Sequence, residues 1–466
     1  MKKKHLKTPI FTALHKYALS DTTAFDVPGH KMGKSKNILK DVIGDLTFKM
    51  DVNSMKELDL LSDPKGIIKE AQDLYADAYS CDESFLLVNG TSVGVQAMIM
   101  SCCNPFDKII LPRNVHKSVI NALIMSGAIP IFIEPEIDVN LGIANGVSLK
   151  NVKDTIEQNL DAKAIFIINP TYFGICSDLK AIINYAHKHN VKVLVDEAHG
   201  AHFPFHEEFP KSAMELGADM SAVSIHKTGG SMSQSSVLLM NKKMVDFNRV
   251  KSILNMLQST SASYLLMASL DVARRNLVID GNALFQELLN IVIDAKKRIN
   301  NINGFSVMTD EYLNGDTRFS LDQMKIVIQV NELGFSGFEI YDMLAKEYKI
   351  QLELAEAHVT MAVISVGDSK ESLDKLVDAL MDISNNHYGT KEAVHVKSLL
   401  MHNPILKVSP RQAFYGQSHD MNINDAIGQI SANSIMIYPP GIPLLIPGEV
   451  ISEEIIEHYH YYVEQG

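Results

Sequence analysis

Lys192-Val193-Leu194-Val195-Asp196-Glu197-Ala198-His199-Gly200 is a short apolar run that ends in a carboxylate and opens into a turn of small residues. Apolar side chains on consecutive positions, over so few residues, read as a strand buried on both faces. The pattern recurs at 84–88, 108–111, 130–133, 164–168, 220–225 and 236–240, with helical periodicity between most of the runs. One such helix is expected at 178–189 with Ser177 as its cap; another opens at Asp63-Pro64, with Asp63 as N-cap and Pro64 at N1. Strands alternating with helices predict an α/β fold with a mostly parallel central sheet covered by helices. Ligands of such sheets bind beyond the carboxyl ends of the strands. The informative residues are therefore Asn89-Gly90-Thr91-Ser92, Asn169-Pro170-Thr171, Asp196-Glu197-Ala198-His199 and His226-Lys227.

Downstream, helical patterns at 262–277 and 281–300 close this block. A small α+β unit follows: strand 325–330, helix 337–347, strands 350–354 and 359–366, helix 369–384. Polar residues 386–396 read as a linker, and Tyr438-Pro439-Pro440-Gly441-Ile442-Pro443 as a rigid turn. The expected division is an N-terminal arm (1–60), a large cofactor-binding domain (61–300), a small α+β domain (301–390) and a C-terminal domain (391–466).

With 466 residues, 46% of them hydrophobic, the chain can fill more than one core. Its formal charge of -12 argues against nucleic acid as the main partner, because phosphate backbones need a basic face. Cys81, Cys102, Cys103 and Cys176 form no C-x-x-C pair and read as reduced thiols. The basic start, Met1 to Lys4, is followed by no apolar core of a signal peptide, and no uninterrupted apolar stretch is long enough to span a membrane. A cytoplasmic location, with no membrane and no metal, is the expectation.

Ser221-Ala222-Val223-Ser224-Ile225-His226-Lys227-Thr228-Gly229-Gly230 ends a strand on a lysine. Desolvation there lowers an amine's pKa and makes it a nucleophile toward an aldehyde. Ser224 and His226 stand beside it as donors to a phosphate. Taken alone, Lys227 also reads as a surface lysine, and Asp196 as a helix cap or metal ligand. The combination carries the signal. An aspartate at a strand end keeps a pyridine nitrogen protonated, and the ring then acts as an electron sink. Strand-end Asp196, one sheet element ahead of Ser-x-His-Lys, therefore points to pyridoxal phosphate held by Lys227. Gly90, Thr91 and Ser92, at a strand-to-helix junction, offer backbone amides and hydroxyls to one phosphate. The lysine of a nucleotide-triphosphate loop is missing from that junction. His116 can stack its imidazole on the cofactor ring, or simply cap a helix.

These motifs, with Pro28-Gly29-His30-Lys31, Arg113-Asn114-Val115-His116-Lys117-Ser118, Pro170-Thr171-Tyr172-Phe173-Gly174 and Ser261-Ala262-Ser263-Tyr264-Leu265-Leu266, make the whole chain resemble the bacterial ornithine/lysine/arginine decarboxylases. The resemblance implies fold type I, the aspartate-aminotransferase-like fold. It also implies that Lys227 carries the cofactor, Asp196 pairs the pyridine nitrogen, His116 stacks on the ring and Ala198 packs beneath it. Thr91, Ser92, Ser224 and His226 hold the phosphate, Ser261 reaches the phosphate of a partner subunit, and His199 joins the cofactor-binding set. Lys227, His226 and His116 are the catalytic candidates. Longer members carry a wing domain ahead of the Pro-Gly-His-Lys motif, which here begins at Pro28, so the chain resembles the short forms, most closely the biosynthetic arginine decarboxylases of Firmicutes. Val52 to Asp59 departs from the more acidic stretch of many members.

The implied reaction is α-decarboxylation of a basic amino acid: arginine first, then lysine and ornithine, with an aminotransferase of the same fold, or a cofactor-bound protein without catalysis, as rivals. Arg318 is the candidate clamp for a substrate carboxylate. Arg411 reads as substrate contact or as a structural salt bridge. Glu449 and Asp420 are the candidates for the distal cation, each also readable as a solvated acid or cap. The fold implies at least a homodimer with shared active sites.

Overall fold

The computed structural model describes residues 2–393, 404–437 and 441–465. Tyr438, Pro439 and Pro440 of the expected rigid turn, and part of the expected linker, lie outside the described residues. Two compact units divide the chain.

The first unit comprises Met1–Ser101, Glu197–Glu207 and Lys211–Leu284. Its strands Glu83–Leu87, Ser236–Met240 and Met220–Val223 lie in that order and run antiparallel. Leu86, Leu87, Ala222, Val223, Val237 and Leu238 are buried on them. Helix Gly90–Cys102 packs close to these strands at Gly94, where a Cβ would meet Leu87 at 2.9 Å and Ala222 at 3.2 Å.

In the second unit, strands Lys192–Asp196, Ala164–Ile168, Lys108–Pro112 and Ile129–Ile133 are neighbours in that order and all parallel. Parallel ladders of this kind need helical crossovers between strands, here Lys117–Ser126, Leu149–Gln158 and Leu179–Lys188. The same unit contains an antiparallel sheet, in which Lys325–Gln329 pairs with Val359–Val363, and a core of Ile175, Val327, Leu354, Val359 and Met361. A further cluster, Leu444, Leu445, Ile451, Ile455 and Ile456, holds the C-terminal helix Glu453–Gln465.

Several expectations at element ends are corrected. Strand 220–225 stops at Val223; Ser224 becomes the N-cap of a one-turn helix, Ile225–Thr228, so Lys227 sits on a helical turn rather than at a strand end. The expected helices 262–277 and 281–300 are one helix, Tyr264–Asn300, because the single Gly281 costs only ~1 kcal/mol and the flanking apolar stripes carry it through. Asp63 and Pro64 do not start a helix. Asp59 takes the capping role, accepting from the amides of Lys65, Gly66 and Ile68, and the helix runs Ile67–Ala78. The cap at Leu179–Lys188 is Asp178, whose carboxylate accepts from Ala181 N, whereas Ser177 Oγ accepts from Val147 N. The strand expected at 350–354 is instead Leu354–Ala355, and that expected at 359–366 ends at Val363.

Candidate active site

Gly90 opens its helix at φ +76°, a left-handed conformation that glycine adopts without penalty, and its amide donates to Gln234 O at 2.8 Å. The amides that follow sit in the first turn, where a helix leaves its N–H groups without internal acceptors and favours an anion. Three hydroxyls gather beside them. Thr91 Oγ1 bonds Ser224 Oγ, and Ser236 Oγ lies 2.9 Å from Thr91 Oγ1. Thr91, Ser224 and Ser236 are all buried, and Ser92 is half-buried in the same turn.

One turn of helix beyond Ser224 brings in the two basic groups. Lys227 Nζ lies 2.8 Å from His199 Nε2, so one N–H of this pair donates to the other nitrogen. His226 Nδ1 donates to Ser235 O at 2.9 Å, and its backbone amide meets the same carbonyl. Burial pushes His226 below the ordinary imidazole range; the Ser235 carbonyl opposes this and the Lys227 charge adds to it. The ring is therefore neutral near pH 7, with Nδ1 protonated and Nε2 open to an acidic donor.

The turn that carries His199 is itself braced. Glu197, fully buried, accepts from Ala213 N at 2.7 Å and from Ser221 Oγ at 2.9 Å. His202 Nδ1 is 3.1 Å from Thr228 Oγ1, next to Lys227. Ala198 is half-buried in this turn. Ser261 lies exposed on the loop ahead of helix Tyr264–Asn300, its amide donating to Ser259 Oγ at 3.1 Å.

Asp196 and His116 belong to the second unit. Asp196 is buried at the carboxyl end of strand Lys192–Asp196, where its own carbonyl accepts from Asn169 N at 3.0 Å. His116 is the N-cap of helix Lys117–Ser126: its Nδ1 accepts from Ser118 N at 3.2 Å, and Ser118 Oγ is 2.9 Å away. The capping alternative is thus realised.

The first unit thus brings together Gly90, Thr91, Ser92, Ser224, His226, His199 and Lys227. Helix-terminal amides, clustered hydroxyls and a lysine amine fit a group that combines a phosphate with an aldehyde, as pyridoxal phosphate does. Ser236 and Ser235 were missed in the sequence, and Glu197 was given no role there. Only Glu197 carried a signal there, as an acid inside the Asp-Glu-Ala-His turn; the serines open a strand and look like ordinary strand-end residues.

Candidates for the substrate's far end fare differently. Glu449 is fully buried against Arg113: Arg113 Nη2 donates to Oε2 at 3.0 Å, and Nη1 lies 2.9 Å from Oε1 as an ion pair off the hydrogen-bond angle. Burial pushes Glu449 up and Arg113 down, and their pairing opposes both shifts. A carboxylate so engaged is not available to a substrate cation. Asp420 is exposed. Arg411 makes a carbonyl hydrogen bond, to Met125 O at 2.8 Å, at the end of helix Lys117–Ser126, where substrate contact or a salt bridge was the expectation. Arg318 lies 3.4 Å from Glu136 and over the Tyr312 ring.

Residues 8–372 match the family model for the major domain of Orn/Lys/Arg decarboxylases, and residues 394–465 match that for their C-terminal domain. An arginine decarboxylase of Bacillus subtilis is 43% identical over 463 residues, 99% of this chain and 94% of that protein. One of Halalkalibacterium halodurans is 42% identical over 449 residues, 96% of this chain and 91% of that protein. An inducible lysine decarboxylase of Escherichia coli is 24% identical, over 96% of this chain and 75% of that protein. The solved lysine decarboxylase of Francisella novicida superimposes with a TM-score of 0.86 at 24% identity, covering 99% of this chain and 78% of that one. It shows a shared fold. An aminotransferase of Bacillus subtilis, acting on ureidoglycine and glyoxylate, covers 71% of this chain and 87% of its own at a TM-score of 0.56.

Proposed function

The chain belongs to the Orn/Lys/Arg decarboxylase family, and from that premise we propose that it converts L-arginine to agmatine and CO2 with pyridoxal phosphate. The family is one of decarboxylases that use this cofactor, so the enzyme class and cofactor follow from membership. Arginine stands ahead of lysine and ornithine because arginine decarboxylases are 41–43% identical over nearly the whole chain, whereas lysine decarboxylases are at 24%. Agmatine formation for polyamine synthesis is the proposed role. The cytoplasm is the proposed location; no described helix is long and apolar enough to cross a membrane.

The single observation that carries the site is the Lys227–His199 contact beside the hydroxyl cluster. When bound, pyridoxal phosphate supplies an electron sink for the pair left on Cα as the carboxylate departs as CO2. The chain's own residues do the rest. Lys227 must lose a proton to act as a nucleophile, and the imidazole 2.8 Å from its Nζ is placed to take it. The same amine is the proposed donor of the proton that replaces the carboxylate on Cα. Thr91, Ser224 and the helix N-terminus hold the phosphate, joined by Ser236, while Ser92 adds a hydroxyl donor and His226 donates from Nε2 when the negative charge of the phosphate favours its protonated form. Asp196 is assigned to the pyridine nitrogen, His116 to the ring face, Ala198 to the opposite face. Exposed Ser261 is assigned to the phosphate of a second subunit, in a homodimer or larger assembly. The division at about residues 60, 300 and 390 is proposed to separate arm, cofactor-binding, small and C-terminal domains.

Purified protein incubated separately with arginine, lysine and ornithine should release CO2 fastest from arginine, with agmatine as the amine. Amino-group exchange with a keto acid and no CO2 would overturn the reading. Lys227→Ala should abolish the cofactor's lysine-linked absorbance along with turnover; retention of both would remove Lys227 from its role.

A further inference from the structure

A cavity of about 210 Å³ opens in the first unit beside strand Glu83–Leu87. Its floor is apolar: Phe85 and Phe247 stack with ring centroids 5.5 Å apart, and Leu61, Leu86 and Leu254 surround them. Its lining carries charges of both signs, on Lys69, Glu83 and Lys251, each paired with a neighbour. Lys69 Nζ is 2.7 Å from Asp73 and 2.9 Å from Glu83, Lys242 reaches Glu83 at 2.5 Å, and Lys251 reaches Asp63 at 2.7 Å. Burial pushes Glu83 up, yet the hydrogen bonds from Lys242 and Lys69 outweigh it, so the group stays ionised.

The lining itself holds two ammonium groups, Lys69 and Lys251, and one carboxylate, Glu83. A ligand with one charge would meet a repelling group beside its attracting one, whereas a zwitterion meets a partner for each end. An ammonium has three donors and a carboxylate about four acceptor positions, so Lys251 and Glu83 keep capacity for a ligand. The apolar floor accepts a hydrocarbon side chain and penalises a guanidinium, which would lose its water there unpaired. We propose that this cavity binds an α-amino acid with an apolar side chain, its carboxylate toward Lys251 and its ammonium toward Glu83.

The cavity also touches the cofactor machinery. Gln258 lines it and reaches the edge of strand Glu83–Leu87, accepting from Val88 N at 3.0 Å and donating to Leu86 O at 3.4 Å. Val88 leads directly into Asn89-Gly90-Thr91, and Gln258 leads into the loop of Ser261. A ligand that fixes Gln258 therefore steadies both segments and slows loss of the cofactor. This coupling rests on the proposed phosphate role of Thr91; binding itself does not.

Calorimetric titration of the holoenzyme with L-leucine, glycine, 4-methylpentanoate and 3-methylbutylamine tests the proposal. Leucine should bind with a Kd of about 1 mM or tighter, and the three partial mimics about tenfold more weakly. Asn255→Trp, at the exposed mouth, should lose leucine binding and keep arginine turnover. Lys251→Gln, which leaves the cavity open, should weaken leucine about tenfold. Leucine bound equally by both variants, bound no better than its fragments, or changing the cofactor's absorbance would overturn the site. In the native protein leucine should slow cofactor release about fivefold, and in Gln258→Ala not at all. Equal slowing in both would overturn the coupling while leaving the decarboxylase reading untouched.

Discussion

Glu356 is a carboxyl group that burial raises from the ordinary range to about 8, and Lys296 an amine that burial, only partly opposed by the charges of Asp322 and Asp310, lowers to about 8. The two shifts act on stability in opposite directions. Glu356 binds its proton more tightly folded than unfolded, so stability falls as pH rises from about 4.5 to about 8. Lys296 binds its proton less tightly folded, so stability rises from about pH 8 to about 10.5. These two groups together place a minimum of stability near pH 8. Thermal midpoints measured across this range should show the descending limb flattened in Glu356→Gln and the ascending limb flattened in Lys296→Met; unchanged limbs would remove the assignment. Neither residue stood out in the sequence, because burial of a charged group is a property of packing. Lys227 could be proposed from the sequence for the opposite reason, since its neighbours Ser224 and His226 lie next to it in the chain. Glu449 was misread because its partner, Arg113, is distant in sequence and joined to it only by folding.

At the scale of elements, the turn from strand Glu83–Leu87 into helix Gly90–Cys102 depends on one backbone angle. Gly90 has open space around its missing Cβ, so an alanine would meet no clash and only the cost of φ +76°, about 1–2 kcal/mol. Relaxing that angle turns the first amides of the helix away from the proposed phosphate site. Gly90→Ala should therefore weaken cofactor binding about tenfold with little loss of fold. Equilibrium dialysis of the cofactor against the apoenzyme measures it, and an unchanged Kd would detach this turn from the phosphate. Thr91→Val should have a similar effect through the hydroxyl cluster, leaving Ser224 and Ser236 without their shared partner. Elements whose pattern is local were readable: Ala164–Ile168 and Ser236–Met240 fall where their apolar runs lie. Ends set by distant contacts were not. Asp59 caps from across a loop held by Tyr264, whose hydroxyl donates to Asp59 O at 2.7 Å, and no local rule contains that bond.

Across the whole molecule, each end of the chain is fastened within its own unit by a buried arginine–carboxylate pair. In the first unit, Arg274 bonds Asp271 at 3.0 Å and His5 O at 2.9 Å, while Asp271 accepts from Ile10 N at 2.8 Å. In the second, Arg113 holds Glu449 and donates to Leu444 O at 3.1 Å, and Glu449 also accepts from Ile446 N. Such pairs contribute little net stability against an apolar replacement, because desolvation offsets attraction, but removing one partner strands the other. Arg113→Met should thus cost about 3–5 kcal/mol, with Glu449 left buried and charged or forced to take up a proton. The double variant Arg113→Met with Glu449→Leu should cost less than Arg113→Met alone. Its remaining penalty comes from the Ile446 amide and the Leu444 carbonyl, each short of a partner by about 1–3 kcal/mol if water cannot reach it. Thermal midpoints give the order of the two variants, and limited proteolysis reads where the damage lies. The single variant should release fragments from 404–465 first, with 2–18 still protected by Arg274. A double variant less stable than the single one would show instead that the pair is held for its attraction, and that its desolvation is smaller than its burial implies.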